Sequence, residues 1–593
     1  MCRIDGIFDP LNIINLQNDI LKMIDVMHRG GPDDSGSYIN GGLALGHRRL
    51  SLIDLSSDGH QPMISTDERF VLIYNGEIYN FKELRSELIN LGYTFKSTSD
   101  TEVILNGFIH WHQGIFERLN GMFALAIYDN QEKCIILTRD YAGIKPLYYY
   151  VDESSLYFAS EIRAFKALNK FEENPDWPIY FLAFGHLPEP ITTLKNVKPL
   201  AKGTVLTYSI ADHSIDIFTY NKFNFTNQIS NRKEALTKVK KTLTDAVERH
   251  LISDAPVGLF LSGGIDSSLL TILAEPFLKE NLQTLSIVFE ENEFSEKIYQ
   301  DIIIAQTKAN HKTYTVTKEQ FLEALPDMIE AMDQPSTDGI NTYFICKYAK
   351  EAGLKAVLSG LGADELFGGY NSFAIMAKYE LLRKWIPANV FKIAQIFKKD
   401  KYQKASFLAM PGLIGQYLFN RGLLCPKEIA HILHISESKI WKLLADLNEQ
   451  YESDFSTLDA FNKACSLESN LYMQNQLLKD SDYMSMWHGI EIRVPFLDKE
   501  LIELAYQINS GIKSFKGQKK YLLIHAFGDK LPRAIWDRPK MGFTFPFQKW
   551  LEESKKDVSN SDKSYSRIKY DHGEFTWSRY WASVMLKWEL KRF

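Results

Sequence analysis

Apolar and polar positions change rhythm twice along this chain of 593 residues. Up to about residue 200 the apolar residues come in short runs broken by turns: GLALGHRRLSLIDL, RFVLIYNGEIYNF, GMFALAIYDNQEKCIILTRD and KPLYYYVDESSLYFASE. Such runs predict strands, and FALAIYD and CIILTRD, separated by NQEK, read as a β-hairpin. Two stretches keep an i, i+3, i+4 apolar spacing instead, around Leu16 to Met27 and Phe81 to Leu91, and predict helices. An α+β layered domain follows from this mixture. The segment SIDIFTYNKFNFTNQISNRKE is polar and weakly periodic, and it reads as a linker. From about Lys233 helical stretches alternate with nearly continuous apolar runs, VGLFLS, TLSIVFE, HKTYTV and KAVLSG. Strands buried on both faces look like this, so the second domain is predicted to be α/β, a doubly wound parallel sheet. Helical patterns rich in Leu, Ile and Lys from Tyr370 to about Asn475 extend it. The expected partition is 1–210, a linker at 211–235, and 236–593.

Charge and cysteine usage narrow the function classes. With 68 basic and 74 acidic side chains the net charge is −6, which offers no electrostatic footprint for nucleic acid or an anionic membrane. The 45% hydrophobic and 13% aromatic shares describe globular cores rather than disorder. Five cysteines, Cys2, Cys134, Cys346, Cys425 and Cys465, lack CxxC spacing, so neither a zinc cluster nor a disulfide framework is suggested. Neither a signal sequence nor an apolar run long enough to span a membrane stands out. A cytoplasmic enzyme with small-molecule partners is the expectation.

In a doubly wound sheet ligands bind beyond the carboxyl ends of the strands. The loop after VGLFLS reads SGGIDSS and runs into the helix SLLTILAE. Its two glycines let backbone approach an anion, and the serines with the helix N-terminus supply donors, which makes a phosphate cradle. GxxxxGK[ST] is absent, and the loop resembles instead the pyrophosphate loop of N-type ATP pyrophosphatases. Asp266 then becomes a Mg2+ ligand. The loop after KAVLSG reads LSGLGADELFGGY, and Asp364 and Glu365 at its turn are candidates for a second cation ligand facing Asp266.

At the other end of the chain, Cys2 directly follows Met1. Removal of Met1 leaves one residue carrying both a thiol and the α-amine, a nucleophile with its own base. The motifs RGGPDDSG, LGHRRLSLIDLSSDGHQPM, YNGEIYNF, SDTEV, LNGMFALAIYD, RDYAGIKPLYYY, FASEI, PVGLFLSGGIDSS, LSGLGADELFGGY and EIRVPFLD then follow in order. Together they resemble the glutamine-hydrolysing asparagine synthetase family, a class II amidotransferase domain of the N-terminal nucleophile hydrolase type joined to an adenylating synthetase domain.

The resemblance implies roles residue by residue. Cys2 attacks the glutamine amide, and the Asn75 side chain with the Gly76 N–H forms the oxyanion hole. Arg49 clamps the glutamine carboxylate, with Glu77 and Asp100 on its ammonium. In the second domain Leu261, Ser262, Gly264, Asp266, Ser267, Val288, Ser359 and Gly360 match the ATP contacts, Asp266 and Asp364 the metal pair, and Lys520 of GQKKYLLIHAF the catalytic lysine. Glutamine, ATP, Mg2+ and a carboxylate acceptor are the implied partners, and a homodimer is left open. Aspartate is the first acceptor expected; a sugar uronate or a peptide side chain is the alternative. A cyclase of the β-lactam synthetase kind does not need Cys2, Arg49, Asn75 and Asp100, and a scaffold protein does not need SGGIDSS and Lys520.

Four positions depart from the family pattern. Arg3 stands where the family has glycine and Asp5 where a small residue is usual; the expectations are that the bulky charge narrows the pocket beside the nucleophile or that Arg3 pairs harmlessly with Asp5. Leu361 replaces a glutamate that assists ammonia attack in the family, and leucine can neither take a proton nor pair with a charge. Gln334 replaces an acidic residue, so the acceptor pocket is expected to have lost up to two negative charges. Asp333 is a candidate to take over proton removal.

Overall fold

The computed structural model describes residues 2–592 apart from 292–294, 384, 398–399, 411, 452–454, 540–545, 547–548 and 551–576. Among these residues the chain up to 219 builds two six-stranded sheets, and a five-stranded sheet follows. Strands β1 (Arg3–Phe8), β2 (Asp34–Asn40), β3 (Leu43–Arg49), β8 (Tyr148–Val151), β9 (Leu156–Ala159) and β10 (Lys198–Pro199) form the first sheet, in the order β10-β8-β9-β1-β3-β2. Strands β4 (Met63–Ile64), β5 (Phe70–Ile78), β6 (Gly121–Asp129), β7 (Cys134–Arg139), β11 (Thr204–Ser209) and β12 (Ile215–Thr219) form the second, in the order β12-β11-β7-β6-β5-β4. Every pairing in both is antiparallel.

The strand pattern explains the layering. Ile4, Phe8, Leu43 and Leu45 of the first sheet meet Val71, Ile73, Ala124 and Leu206 of the second in one core. The opposite faces are also covered. The helix Leu16–Val26 packs Ile20, Met23 and Ile24 on Ile7 and Ala44, and the helices Phe81–Asn90 and Asp100–Trp111 pack on Leu72, Tyr74, Leu125 and Ile127. Central strands are therefore covered on both sides, and β6 is buried at every position. The predicted hairpin is β6–β7, with Asp129 opposite Cys134.

Two boundaries differ from the sequence reading. Strand β12 pairs with β11 from Thr204↔Thr219 to Tyr208↔Ile215, so the layered half runs to 219 rather than 210. All five residues of β12 are exposed. An edge strand of this kind lacks the buried alternation that marks a strand in sequence. Between β12 and the helix Arg232–His250, Tyr220 and Asn221 still donate their N–H groups to Gly203 O of the first half, whereas Phe225 stacks on Tyr506 at 3.9 Å and Ile229 N–H donates to Gln507 O at 2.9 Å in the second.

Strands β13 (Val257–Phe260), β14 (Gln283–Phe289), β15 (Asn310–Val316), β16 (Ala356–Leu358) and β17 (Glu491–Arg493) run parallel in the order β15-β14-β13-β16-β17. Strand β15, from HKTYTV, is a largely exposed edge rather than a strand buried on both faces. Strand order reverses at β13, whose neighbours are β14 and β16, and a crevice at such a switch point is where open α/β sheets bind ligands. No helix among the described residues is long and apolar enough to cross a membrane.

Candidate active sites

The first site lies where β1, β3 and β5 bring their ends together. Cys2 opens β1 and is 7% exposed. Burial pushes its thiol up, while the Leu50 N–H and the Arg49 charge pull the other way. Met1 lies outside the described residues. Arg49 ends β3, and the carbonyls of Ile53, Asp54 and Ser56 take its N–H groups, Nη1 donating to Ser56 O at 2.8 Å. Gly59 makes room for this clamp, since a Cβ there would stand 2.0 Å from Arg49 Nη2. Neutral carbonyls orient the guanidinium without cancelling its charge.

Strand β5 supplies Asn75, Gly76 and Glu77. Asn75 is fully buried, its Nδ2 3.5 Å from Ser160 Oγ, and its Oδ1 has no hydrogen-bond partner. Ser160 Oγ also accepts from Ile4 N–H at 3.0 Å, so one hydroxyl joins the Asn75 strand to the Cys2 strand. Asp100 begins its helix behind the cap Ser99, and its Oδ2 accepts from Tyr74 Oη at 2.9 Å and Ile78 N–H at 3.0 Å. Burial outweighs these donors and lifts its carboxyl to about 6.

Glu77 differs from the other three. Its Oε2 accepts from Arg493 Nη2 at 2.9 Å, and Arg493 lies on β17 of the second half. The same guanidinium pairs with Glu491 and donates to His250 O and Ile252 O. Glu77 is therefore an interface residue as well as a neighbour of Asn75, and burial raises its carboxyl strongly despite Arg493.

The second site is a cavity of about 820 Å³ beyond the carboxyl ends of β13 and β16. Leu261, Ser262, Gly264, Asp266, Ser267, Ser359, Gly360, Asp364 and Lys520 all line it, whereas Val288 does not; β14 contributes Leu285, Ser286 and Ile287. In the SGGIDSS loop the Ser262 and Ser267 hydroxyls lie 3.0 Å apart, and the Gly264 N–H donates to Ser262 Oγ at 3.3 Å. The helix Ile265–Leu278 starts directly after them. Lys520 Nζ stands 2.5 Å from both Asp266 Oδ2 and Asp364 Oδ1. Burial alone lowers an ammonium pKa, but these two carboxylates win and hold Lys520 above its usual value. Gly369 leaves the space, because a Cβ there would fall 1.5 Å from Asp364 Oδ1 and 2.6 Å from Lys520 Cε.

The cavity also holds residues that the motifs did not point to. Asp338 and Asp480 line it, both with carboxyls raised by burial, and so does Arg538, which donates to Gly263 O at 2.9 Å. Of the departures, Leu361 lines the cavity as expected. Gln334 does not: its amide donates to Tyr148 Oη at 3.0 Å between the two halves. Asp333 is likewise no cavity base. Its carboxylate accepts from Ile162 N–H at 2.6 Å and Arg163 N–H at 2.8 Å, capping the helix Ile162–Lys166 of the first half. Asp338 and Asp480 lie in the lining beside Leu361, and burial favours the neutral form of both. Arg3 does not pair with Asp5; it reaches Glu161 and Asp482.

Comparison with known proteins covers both halves. The sequence model described as asparagine synthase matches residues 238–569, and that described as glutamine amidotransferase domain matches 1–220. Asparagine synthetase [glutamine-hydrolyzing] 1 of Bacillus subtilis is 33% identical over 573 residues, which covers 93% of this chain and 88% of that protein. Asparagine synthetase [glutamine-hydrolyzing] 3 of the same organism is 30% identical over 91% of this chain and 86% of its own. Asparagine synthetase B of Escherichia coli is 26% identical over 92% and 82%.

Proposed function

The chain belongs to the asparagine synthase family, and from that premise we propose that it moves the amide nitrogen of glutamine onto a carboxylate activated as its adenylate. The observation that carries this reading is Lys520, held between Asp266 and Asp364 beside the SGGIDSS loop in a chain that also buries Cys2 near Arg49 and Asp100.

With Met1 removed, the α-amine of Cys2, whose ordinary pKa is about 7.7 to 8.0, takes the thiol proton as sulfur attacks the glutamine carbonyl. The Asn75 amide and the Gly76 N–H receive the oxyanion, and each such donor is worth about 2.7–4 kcal/mol of barrier. Arg49 receives the glutamine carboxylate, Asp100 its ammonium, and Glu77 sits beside them, fixed by Arg493. The α-ammonium hands that proton to the leaving nitrogen, collapse releases ammonia and leaves the thioester, and water cleaves the thioester to glutamate and free Cys2.

In the cavity the serine hydroxyls and the helix N-terminus at Gly264 receive the β- and γ-phosphates. Asp266 and Asp364 converge closely enough to share one ammonium, so this pair would hold a Mg2+ ion. Bound there, it would neutralise phosphate charge and leave Lys520 to the α-phosphate. The acceptor carboxylate then displaces pyrophosphate, and ammonia displaces AMP to give the amide. Aspartate, the acid corresponding to the amide named for the relatives, is the first acceptor. A second reading, another carboxylate, is favoured by Leu361 in the lining. The five cysteines, none in a disulfide, support a reducing compartment such as the cytoplasm.

The test is glutamate and pyrophosphate release with glutamine, Mg-ATP and a panel of carboxylates. Cys2→Ala is expected to abolish glutamine-dependent synthesis and spare ammonia-dependent synthesis at raised pH. Equal loss of both would refute the division of labour, and turnover of a uronate but not aspartate would replace the acceptor.

A further inference from the structure

The residue after the nucleophile is fully buried and does not serve its own domain alone. Arg3 Nε donates to Glu161, and its Nη2 lies 2.9 Å from Asp482 Oδ2 on the helix Leu478–Trp487 of the second half. Lys145 Nζ approaches the other oxygen of Asp482 at 2.9 Å. Arg163 closes the cluster, 2.6 Å from Glu161 and 3.4 Å from Asp333. Three cations and three carboxylates thus balance across the interface, with both second-half members anionic. Gly30 opens the space, since a Cβ there would stand 2.8 Å from Arg3 Cγ.

Asp482 is also the next residue along from the ATP cavity. Asp480 and Ser481 line that cavity, and Asp480 accepts from Ser336 Oγ at 2.6 Å. From the cavity wall at Ser481 to the nucleophile at Cys2 there is one peptide link, one ion pair and one further peptide link. The Tyr483 hydroxyl, 2.5 Å from that of Tyr148, ties the same helix to the first half beside them. A rigid helix touching both sites is a physical route for coupling, which only a coupling measurement can establish.

We propose that Arg3 is a positioning residue that ties the Cys2 nucleophile to occupancy of the ATP cavity through Asp482, so that glutamine is attacked fastest when the synthetase site is loaded. This rests on the amidotransfer reading above. A glycine at position 3, as the family pattern has, cannot make the link.

The measurement is the rate at which 6-diazo-5-oxo-norleucine, an alkylating glutamine analogue, labels Cys2 in the full-length enzyme, with and without Mg-ATP. Wild type is expected to label at least about fivefold faster with Mg-ATP, the lower end of ordinary coupling. Arg3→Gly and Asp482→Asn are expected to label at the unstimulated rate in both conditions while still binding Mg-ATP by thermal shift. Arg3→Lys, which keeps the charge, should regain part of the stimulation. Full stimulation in either Arg3→Gly or Asp482→Asn, or none in wild type, overturns the proposal, and Asp482→Asn alone decides if Arg3→Gly does not fold. Absence of any labelling of Cys2 would instead strike the amidotransfer reading itself.

Discussion

The two sites solve the problem of holding charge in opposite ways. In the first, Arg49 is oriented by backbone carbonyls and Asn75 keeps Oδ1 without a partner, so the pocket has polar capacity that its own side chains leave open. In the second, Lys520 pairs with both carboxylates of the proposed metal pair. On the proposed function the first pocket is preorganised for a zwitterion, whereas the second has to exchange partners before it engages ATP. Buried groups left open cost stability, and their persistence marks a ligand's place. A closed ion triad costs less at rest but makes its residues interdependent.

That contrast is broken or sharpened first at Lys520. Lys520→Ala removes the cation that is to face the α-phosphate and leaves Asp266 and Asp364 opposed. Acceptor-dependent pyrophosphate release is expected to fall about 10²–10³-fold, while glutamate release in the absence of ATP holds near the wild-type rate. A variant that keeps more than a tenth of the pyrophosphate activity would mean that the triad is structural only.

Arg49→Lys probes the open pocket with a smaller effect. An ammonium cannot span the carbonyls of residues 53–56 and a ligand carboxylate in the planar way a guanidinium does. Charged hydrogen bonds are worth about 1.5–3 kcal/mol, so the KM for glutamine is expected to rise about tenfold to a hundredfold. Ammonia-dependent synthesis should be unmoved. Loss of both activities would show that Arg49 supports the fold rather than the ligand.

These sites were legible in sequence to different depths. Local chemistry could be read directly: SGGIDSS announces a strand, a tight turn and a helix N-terminus, and of the residues matched to ATP contacts by the resemblance all but Val288 line one cavity. Partners distant in the chain could not. Glu77 meets Arg493, 416 positions away, and Lys145 meets Asp482, 337 away; no periodicity reports such pairings. The same limit hid β17, a three-residue strand of charged character whose burial comes from its neighbours, and β12, whose exposure erased its alternation. The role of Arg3 was hidden because one of its two carboxylate partners, Asp482, comes from the other half of the chain.

The smallest expected effect concerns pH and separates the sites most cleanly. Burial raises the Asp100 carboxyl to about 6, although Ile78 N–H and Tyr74 Oη favour its charged form. A raised carboxyl is neutral below that pH, and in the proposed role a neutral Asp100 loses its hold on the glutamine ammonium. The glutaminase kcat/KM is therefore expected to halve at about pH 6 relative to its plateau, in addition to the loss from protonating the α-amine. Acceptor-dependent exchange of pyrophosphate into ATP does not involve Asp100, so its pH profile is expected to be the same in wild type and Asp100→Asn. The sign for stability is the reverse: with the folded pKa above the unfolded one, the native state binds the extra proton, so Asp100 contributes stability at low pH that is lost as pH rises through about 6. Asp100→Asn should thus weaken glutamine binding, erase the inflection and raise the Tm at neutral pH. If Asn at this position lowered the Tm and left the pH profile intact, the carboxylate would be a structural anchor for the Tyr74 hydroxyl, and the open character of the first pocket would rest on Arg49 and Asn75 alone.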